Sequence, residues 1–333
     1  MKDMALGWRT PPPVSKPAAV RRVGLGYEGI LLGIVILLVG AISLGSQGNF
    51  WNPSNITSVL VNTAITAVPA AGMTLVIVTG GIDVSIGSVV GFTATVAGLA
   101  FENHWALAEA VPVVLVTGAL AGLLNALAIT RGKVPPIITT LGTMSIWRAV
   151  VYALLGGNWI TQVPIGLTNL FVLDKVFGIP WSFILAMGLV LLLTYVTRSR
   201  PFGRFVYAIG NNEEAAEVSG LPVNFVKLLV YTLLGLLTAV SALMMLGQSP
   251  LIQATTGTGF ELTVIAAVVL GGTSILGGRG SIVGSFLGSM LVQLTSDGVI
   301  LFHIQPFWEG VVSGLMILIA VFISLLNRRE ESR

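Results

Sequence analysis

Carboxylates are the side chains in this sequence whose types and spacing could support chemistry. Glu213, Glu214 and Glu217 lie close together, whereas Asp83 and Glu261 stand alone at the edges of apolar segments. Clustered carboxylates can bind a metal ion or perform acid–base catalysis. A single carboxylate beside an apolar segment is more typical of a helix cap or of a polar path through a membrane.

The rest of the sequence lacks the partners that catalysis or metal binding would need. The chain has no cysteine, which excludes thiol catalysis and thiolate ligands. Its two histidines, His104 and His303, are far apart in the sequence. We therefore expect no catalytic residue, no metal site and no cofactor bound by this chain.

The composition indicates the class of protein. Of the 333 residues, 54% are hydrophobic and only 9% are charged, whereas soluble domains carry about 25% charged residues. Apolar runs match helices of about 20 residues, which cross a bilayer core of about 30 Å. The sequence predicts an all-α polytopic membrane protein. Ten spans fit the apolar pattern: 27–46, 55–79, 84–102, 109–130, 136–155, 181–197, 225–246, 261–276, 281–301 and 308–326.

The basic residues indicate how these spans are oriented. If residues 1–26 form a flexible cytoplasmic leader, every lysine and arginine except Arg148 and Lys175 falls in or beside an inner segment. This distribution satisfies the positive-inside rule. We expect a permease domain over 27–326, a tail over 327–333 and both termini in the cytoplasm. Topology thus explains the basic balance, so we expect contact with lipid and none with nucleic acid.

Two stretches interrupt the apolar pattern in a similar way. VIVTGGIDVSIGSVVG (76–91) and VVLGGTSILGGRGSIVG (268–284) each contain Gly-Gly after an apolar run and end in Gly-Ser-x-Val-Gly. We interpret them as a weak internal repeat of broken helices, the pattern that points to a substrate path in transporters. The candidate residues for the path or the breaks are Gly80, Gly81, Asp83, Ser85, Gly271 and Gly272.

The isolated charges have two interpretations each. Asp83 or Ser85 could cap the third span, or Asp83 could line the path. Glu261 likewise suits a helix N-terminus. Arg148 could extend toward the outer interface, the simpler interpretation, or pair with a carboxylate.

Transport against a gradient needs a source of energy, and the sequence contains little that could supply one. Its only Gly-Lys pair, Gly132-Lys133, is followed by Val134, so no Walker A phosphate loop is present. Ionisable residues within the spans, which ion-coupled transporters use, are nearly absent. We therefore expect a separate subunit to provide the energy.

The segment AIGNNEEAAEVSG (208–220) suggests where that subunit binds. It falls on the predicted cytoplasmic side and should form a short helix over 213–218, capped by Asn211 or Asn212 and ended by Gly220 and Pro222. Its E-A-A-x-x-x-G core resembles the cytoplasmic loops of ATP-binding-cassette (ABC) importer permeases, although the further I-x-L-P of that signature is absent. The candidate residues for the ATPase interface are Asn211, Asn212, Glu213, Glu214, Ala215, Ala216 and Gly220.

Four blocks extend this resemblance over most of the chain. They are GGIDVSIGS (80–88), VPPIITTLGTM (134–144), FGRFVYAIGNNEEAAEVSG (202–220) and GFELTVIAAVVLGGTSILGGRGSIVG (259–284). Together they resemble the ribose, galactoside and xylose permeases of ABC importers. LGGNWITQVP (155–164) and TTGTGFEL (255–262) look nearer to the autoinducer-2 and rhamnose branches.

The resemblance implies a permease subunit in the bacterial cytoplasmic membrane that imports a monosaccharide or similar small solute. It also implies a second permease chain, identical or related, an external solute-binding protein and an ABC ATPase that binds ATP and magnesium. Autoinducer-2 is the alternative solute within the family. A self-contained secondary transporter is the alternative outside it, and the scarcity of intramembrane charges argues against that reading.

Overall fold

The computed structural model describes residues 25–305 and, beyond them, residues 307, 308, 310, 311, 314, 315 and 318. This part of the chain is predominantly α-helical, which confirms the predicted fold class. The α-helices are α1 (Leu25–Gly45), α2 (Pro53–Val78), α3 (Ile86–Glu102), α4 (Leu107–Thr130), α5 (Pro136–Leu155), α6 (Ile165–Thr168), α7 (Trp181–Ser199), α8 (Pro201–Asn211), α9 (Glu213–Val218), α10 (Val223–Gln248), α11 (Phe260–Leu270) and α12 (Ile282–Leu301).

The predicted count of ten spans is not confirmed. Among the described residues, seven helices are long and apolar enough to cross a membrane, namely α1, α2, α4, α5, α7, α10 and α12. The predicted spans 84–102 and 261–276 correspond to α3, with 17 residues, and α11, with 11 residues. At 1.5 Å per residue α11 covers only about 16 Å. The span predicted over 308–326, most of the leader and the tail lie largely or wholly outside the described residues.

The long helices differ greatly in how much of their surface the chain itself covers. In α2, 94% of the most apolar window is buried, against 17% in α5. The central helix α2 packs against α7, α10, α11 and α12. Because Pro69 has no N–H, the Ile65 carbonyl lacks its usual helical partner, and the Ser241 hydroxyl of α10 donates to that carbonyl at 2.6 Å.

Glycine pairs four residues apart allow the closest helix contacts. In α4, a Cβ on Gly118 or Gly122 would overlap the backbone of α10. In α12, a Cβ on Gly284 or Gly288 would overlap the C-terminal end of α11. Small residues permit this backbone approach where lipid provides no hydrophobic driving force between helices.

The connections carry the remaining secondary structure. Between α5 and α7, on the predicted outer side, lie α6, a π-helical turn over Asn169–Leu173 and a hairpin of β1 (Lys175–Val176) with β2 (Ile179–Pro180). Lys175 pairs with Pro180 in this antiparallel hairpin, and Ile160 bridges Ile252 in the connection between α10 and α11. On the predicted inner side, α8 and α9 connect α7 to α10.

Candidate functional site

The segment predicted to contact an ATPase consists of two short helices. Along α8, Gly203, Val206 and Ile209 are buried at three-residue intervals, so one side of the helix packs against the bundle. The helix predicted over 213–218 is α9, which begins after Asn212, whose Oδ1 accepts a hydrogen bond from the Ala215 N–H at 2.9 Å. Asn211 does not cap it, because its side chain donates to the Tyr207 carbonyl within α8.

Gly220 ends α9 in a specific conformation. Its φ is +80°, in the left-handed region that glycine adopts without a Cβ penalty. The Gly220 N–H donates to the Glu217 carbonyl and the Leu221 N–H to the Ala216 carbonyl, the two bonds of a Schellman C-cap. The direction of the chain after α9 therefore depends on this glycine.

Most of α9 faces solvent. Only Ala216 is buried, whereas Glu214, Glu217 and Val218 are exposed, the valine to 85%. Lys227 at the start of α10 donates to Glu213 Oε1 at 2.6 Å. The result is a tethered, acidic helix with an apolar side chain at its tip, a surface on which another protein could dock.

The two helix breaks share one geometry. Gly80 has a φ of +84° and Gly272 a φ of +85°. In each break the N–H of this glycine donates to the carbonyl three residues earlier. The N–H of the next residue, Gly81 or Thr273, donates to the carbonyl five residues before it. Both breaks are thus Schellman caps. In the structure Gly80 corresponds to Gly272, whereas an alignment of the two Gly-Gly pairs would place Gly80 opposite Gly271. Gly271 is the last residue before the left-handed turn.

Beyond Gly80, the first break crosses the interior of the bundle as a non-helical segment. Asp83 is only 2% exposed, and its Oδ1 accepts from both the backbone N–H and the hydroxyl of Ser85, at 2.8 and 2.6 Å. Asn125 of α4 donates to Asp83 Oδ2 and to the Ser85 hydroxyl. These hydrogen bonds lead the chain into α3 and satisfy polar groups within the bundle, the condition under which irregular backbone is tolerated there.

The second break is held from the predicted cytoplasmic side. The Tyr207 hydroxyl of α8 donates to the Gly280 carbonyl at 2.8 Å, and burial raises the pKa of this phenol above its ordinary value. The Ser281 hydroxyl donates to Glu28 of α1, which also pairs with Arg198 at 3.2 Å. Side chains from α1, α7 and α8 therefore converge on this break.

Both breaks meet α8 at Gly210. The Gly278 N–H donates to the Val78 carbonyl at 2.9 Å, which joins the second break to the end of α2. A Cβ on Gly210 would overlap that carbonyl and lie 2.6 Å from the Gly278 nitrogen. The last turn of α8 thus lies directly on the backbone of both breaks, and α9 follows it immediately.

Sequence reasoning missed several residues of this arrangement. Asn125 could have been found, because it is a polar residue within an apolar span. Tyr207 and Gly210 precede the acidic cluster and gave no signal of their own. Arg148 donates through its Nη1 to the Ala254 and Thr256 carbonyls, both at 2.8 Å, in the connection between α10 and α11 on the predicted outer side.

The described parts of the site are joined by backbone contacts. Within the described residues, no three His, Asp or Glu side chains come together in a way that could hold a metal ion. What the geometry offers is a surface helix connected, through backbone contacts, to two interrupted helices inside a membrane bundle. Fold and site define a polytopic membrane protein of the transporter class.

Comparison with known proteins identifies the family. Residues 55–321 match the family described as branched-chain amino acid transport system / permease component, and the chain belongs to it. It is 35% identical over 304 residues to the ribose import permease protein RbsC of Escherichia coli strain K12, covering 89% of this chain and 93% of that one. It is 38% identical over 311 residues to RbsC of Bacillus subtilis strain 168, covering 91% and 93%.

A third relative is the autoinducer 2 import system permease protein LsrC of Yersinia pseudotuberculosis, 32% identical over 293 residues, covering 87% of this chain and 82% of that one. Identities this similar do not separate the ribose branch from the autoinducer-2 branch. The chain is a transmembrane permease subunit of an ABC importer, located in the inner membrane.

Proposed function

We propose that this permease imports a monosaccharide or a closely related small polyhydroxylated solute. The relatives named for ribose and for autoinducer 2 support this class of solute. An external binding protein would deliver the solute, and the exposed aromatic side chains on the predicted outer side, Trp159 and Phe177 among them, offer a surface for it. Uptake of radiolabelled D-ribose and of autoinducer 2 by the complete importer distinguishes the two candidate solutes.

In this proposal α9 is the contact with a separate ATP-binding subunit, which binds the ATP and magnesium. The observation that carries it is the combination of an exposed acidic helix with the Gly210 contact to both helix breaks. Two permease chains, identical or related, would each present one α9. ATP binding would draw the two helices together and open the path outward, and hydrolysis would reverse the movement.

The topology belongs to the same proposal. Placing α8, α9 and both termini in the cytoplasm puts the contact helix where ATP is available, and it satisfies the positive-inside rule. Solute uptake by the permease alone in vesicles, without ATP or partners, would instead indicate a secondary transporter.

Substitutions in α9 test the coupling directly. Glu214→Lys reverses a charge favoured at a helix N-terminus, and Gly220→Val places a β-branched residue at a positive φ. We expect both variants to insert into the membrane normally but to lose ATP-driven uptake. Ser219→Ala is the matched control, since it removes only an exposed hydroxyl that donates to the Ala215 carbonyl. Normal uptake by both variants would contradict the role of α9.

A further inference from the structure

A cavity of about 430 Å³ lies beside α5, away from the helix breaks. Its lining combines apolar and polar side chains from α5 with residues around the start of α11. The lining residues that matter here are Met144, Ser145, Arg148, Tyr152, Thr258 and Glu261.

Arg148 and Glu261 are both positioned over one side of α3. A Cβ on Gly87 would overlap the Glu261 carboxylate, and a Cβ on Gly91 would lie 3.2 Å from Arg148 Nη1. The Gly-x-x-x-Gly pair of α3 therefore makes room for both charged groups, one helical turn apart. This gives the Gly87 and Gly91 pair a purpose besides helix packing.

Neither charged group uses its full hydrogen-bonding capacity on the protein. The hydrogen bonds of Arg148 to the chain both come from Nη1 and hold the connection before α11. A guanidinium has further donors on Nε and Nη2. Within the described residues, Arg148 and Glu261 form no direct ion pair, so donors and acceptors remain on the same cavity.

The depth of the cavity in the membrane matters for its role. Arg148 lies twelve residues beyond Pro136 in α5, about 18 Å along the helix axis. Ionisable residues at such depth face the interior of a bundle or a water-filled space. Ser145 and Tyr152, which precede and follow Arg148 on the same side of α5, are exposed in the isolated chain. A guanidinium facing lipid would be costly, which favours water or a second protein chain over lipid on this side of α5.

We propose that this cavity is a water-filled part of the solute path, where Arg148 and Glu261 contact the hydroxyl groups of a neutral polyhydroxylated solute. A sugar hydroxyl can accept from the guanidinium and donate to the carboxylate, and the two opposite charges leave no net charge to repel a neutral molecule. The assignment of the solute class rests on the proposed function. The water-filled path does not.

The absence of native cysteine makes the path directly testable. In the assembled importer in membranes, Ser145→Cys should react with a membrane-impermeant methanethiosulfonate reagent, with or without an ATP analogue that holds one state. Ile146→Cys is the matched control, because Ile146 is the next residue and 58% exposed but does not line the cavity. Equal, slow labelling of both cysteines in every nucleotide state would overturn the proposal, because the cavity would then face lipid or a packed partner.

Uptake kinetics test the contact with solute. Glu261→Gln keeps the shape of the side chain but removes its charge, and loss of a hydrogen bond to a charged group should lower D-ribose uptake about tenfold. ATPase activity and complex assembly should be unchanged, and Leu262→Met, a volume-conserving change at the next residue, which is 55% exposed and does not line the cavity, should transport normally. Wild-type uptake by Glu261→Gln would overturn the solute contact. If the wild-type importer transports no sugar at all, the proposed function fails, whereas the cysteine result stands independently.

Discussion

The two helix breaks have the same backbone geometry but different surroundings. Both end a helix with a Schellman cap and a left-handed glycine, Gly80 or Gly272. The first then runs through the bundle, where Asp83, Ser85 and Asn125 form hydrogen bonds with one another. The second is held by side chains of α1 and α8 near the predicted cytoplasmic surface. The shared cap therefore ends the helix in both cases, whereas the surrounding contacts determine which other helices are connected to each break.

The two breaks should therefore have different roles. The first is fixed by hydrogen bonds inside the membrane bundle, and its geometry should change little during transport. The second is attached to the helices that lead to α9 and should respond to the ATPase. Gly210 contacts both breaks, so a movement of one break would be transmitted to the other at this residue.

The largest expected effect comes from Gly210→Ala. Because the added Cβ would overlap the Val78 carbonyl, the contact between α8 and both breaks must open. Overpacking of about 2.7 kcal/mol would lower coupled uptake about a hundredfold. ATP hydrolysis by the partner should continue, so the ratio of solute imported to ATP hydrolysed is the measurement.

The control for this variant is Gly188→Ala in α7, where a Cβ meets no atom within 4 Å. It makes the same chemical change in a long helix and should leave transport unchanged. Equal transport by Gly210→Ala and Gly188→Ala would contradict the proposed connection between the two breaks through Gly210.

An intermediate effect is expected at Asp83. Asp83→Ala leaves the buried Ser85 N–H and the Asn125 amide without their acceptor, which should lower the free energy of unfolding by about 1–3 kcal/mol. Asp83→Asn should retain most transport. Asn125 Oδ1 is a buried acceptor without a partner among the described residues, so the Asn125 amide can rotate to accept from the new side chain.

Thermal unfolding of the purified permease and uptake by the complete importer separate the two possible roles of Asp83. A loss of stability in Asp83→Ala but not in Asp83→Asn would support the interpretation that Asp83 is a structural cap. Complete loss of transport in Asp83→Asn, with normal assembly, would instead place Asp83 on the path of the solute.

The smallest effect is expected from Tyr207→Phe at the second break. The change removes one hydrogen bond to the Gly280 carbonyl, a net contribution of about 1 kcal/mol, and should slow uptake about fivefold. Tyr195→Phe is the control, because it removes an exposed hydroxyl that accepts from the exposed Arg200. Identical uptake rates in the two variants would show that the second break does not depend on α8 through this bond.

The sequence patterns correctly predicted the features that depend on a few neighbouring residues. Asn212 and Gly220 defined α9 because capping and left-handed glycine are properties of a few neighbouring residues. The apolar runs predicted the long helices for the same reason. They overestimated α11, since the apolar composition continues past the residue at which Gly271 and Gly272 stop the helix.

The parts that could not be predicted depend on contacts distant in sequence. Gly210 is important only because residues 78 and 278 meet it, and a helical glycine in a membrane protein is otherwise unremarkable in sequence. Arg148 donates to carbonyls more than 100 positions away. No local pattern encodes such partners, so the sequence could not name the carbonyls that Arg148 contacts.

The hydrogen bond at Pro69 has a consequence for how force can spread through the bundle. Because Ser241 of α10 occupies the carbonyl that Pro69 leaves free in α2, the two helices cannot slide past each other without exposing a buried polar group. Relative sliding of α2 and α10 would therefore cost about 1–3 kcal/mol unless the carbonyl found another partner. Since α10 also carries Lys227, which is paired with Glu213 of α9, the surface helix is connected through α10 to the most deeply buried long helix among the described residues.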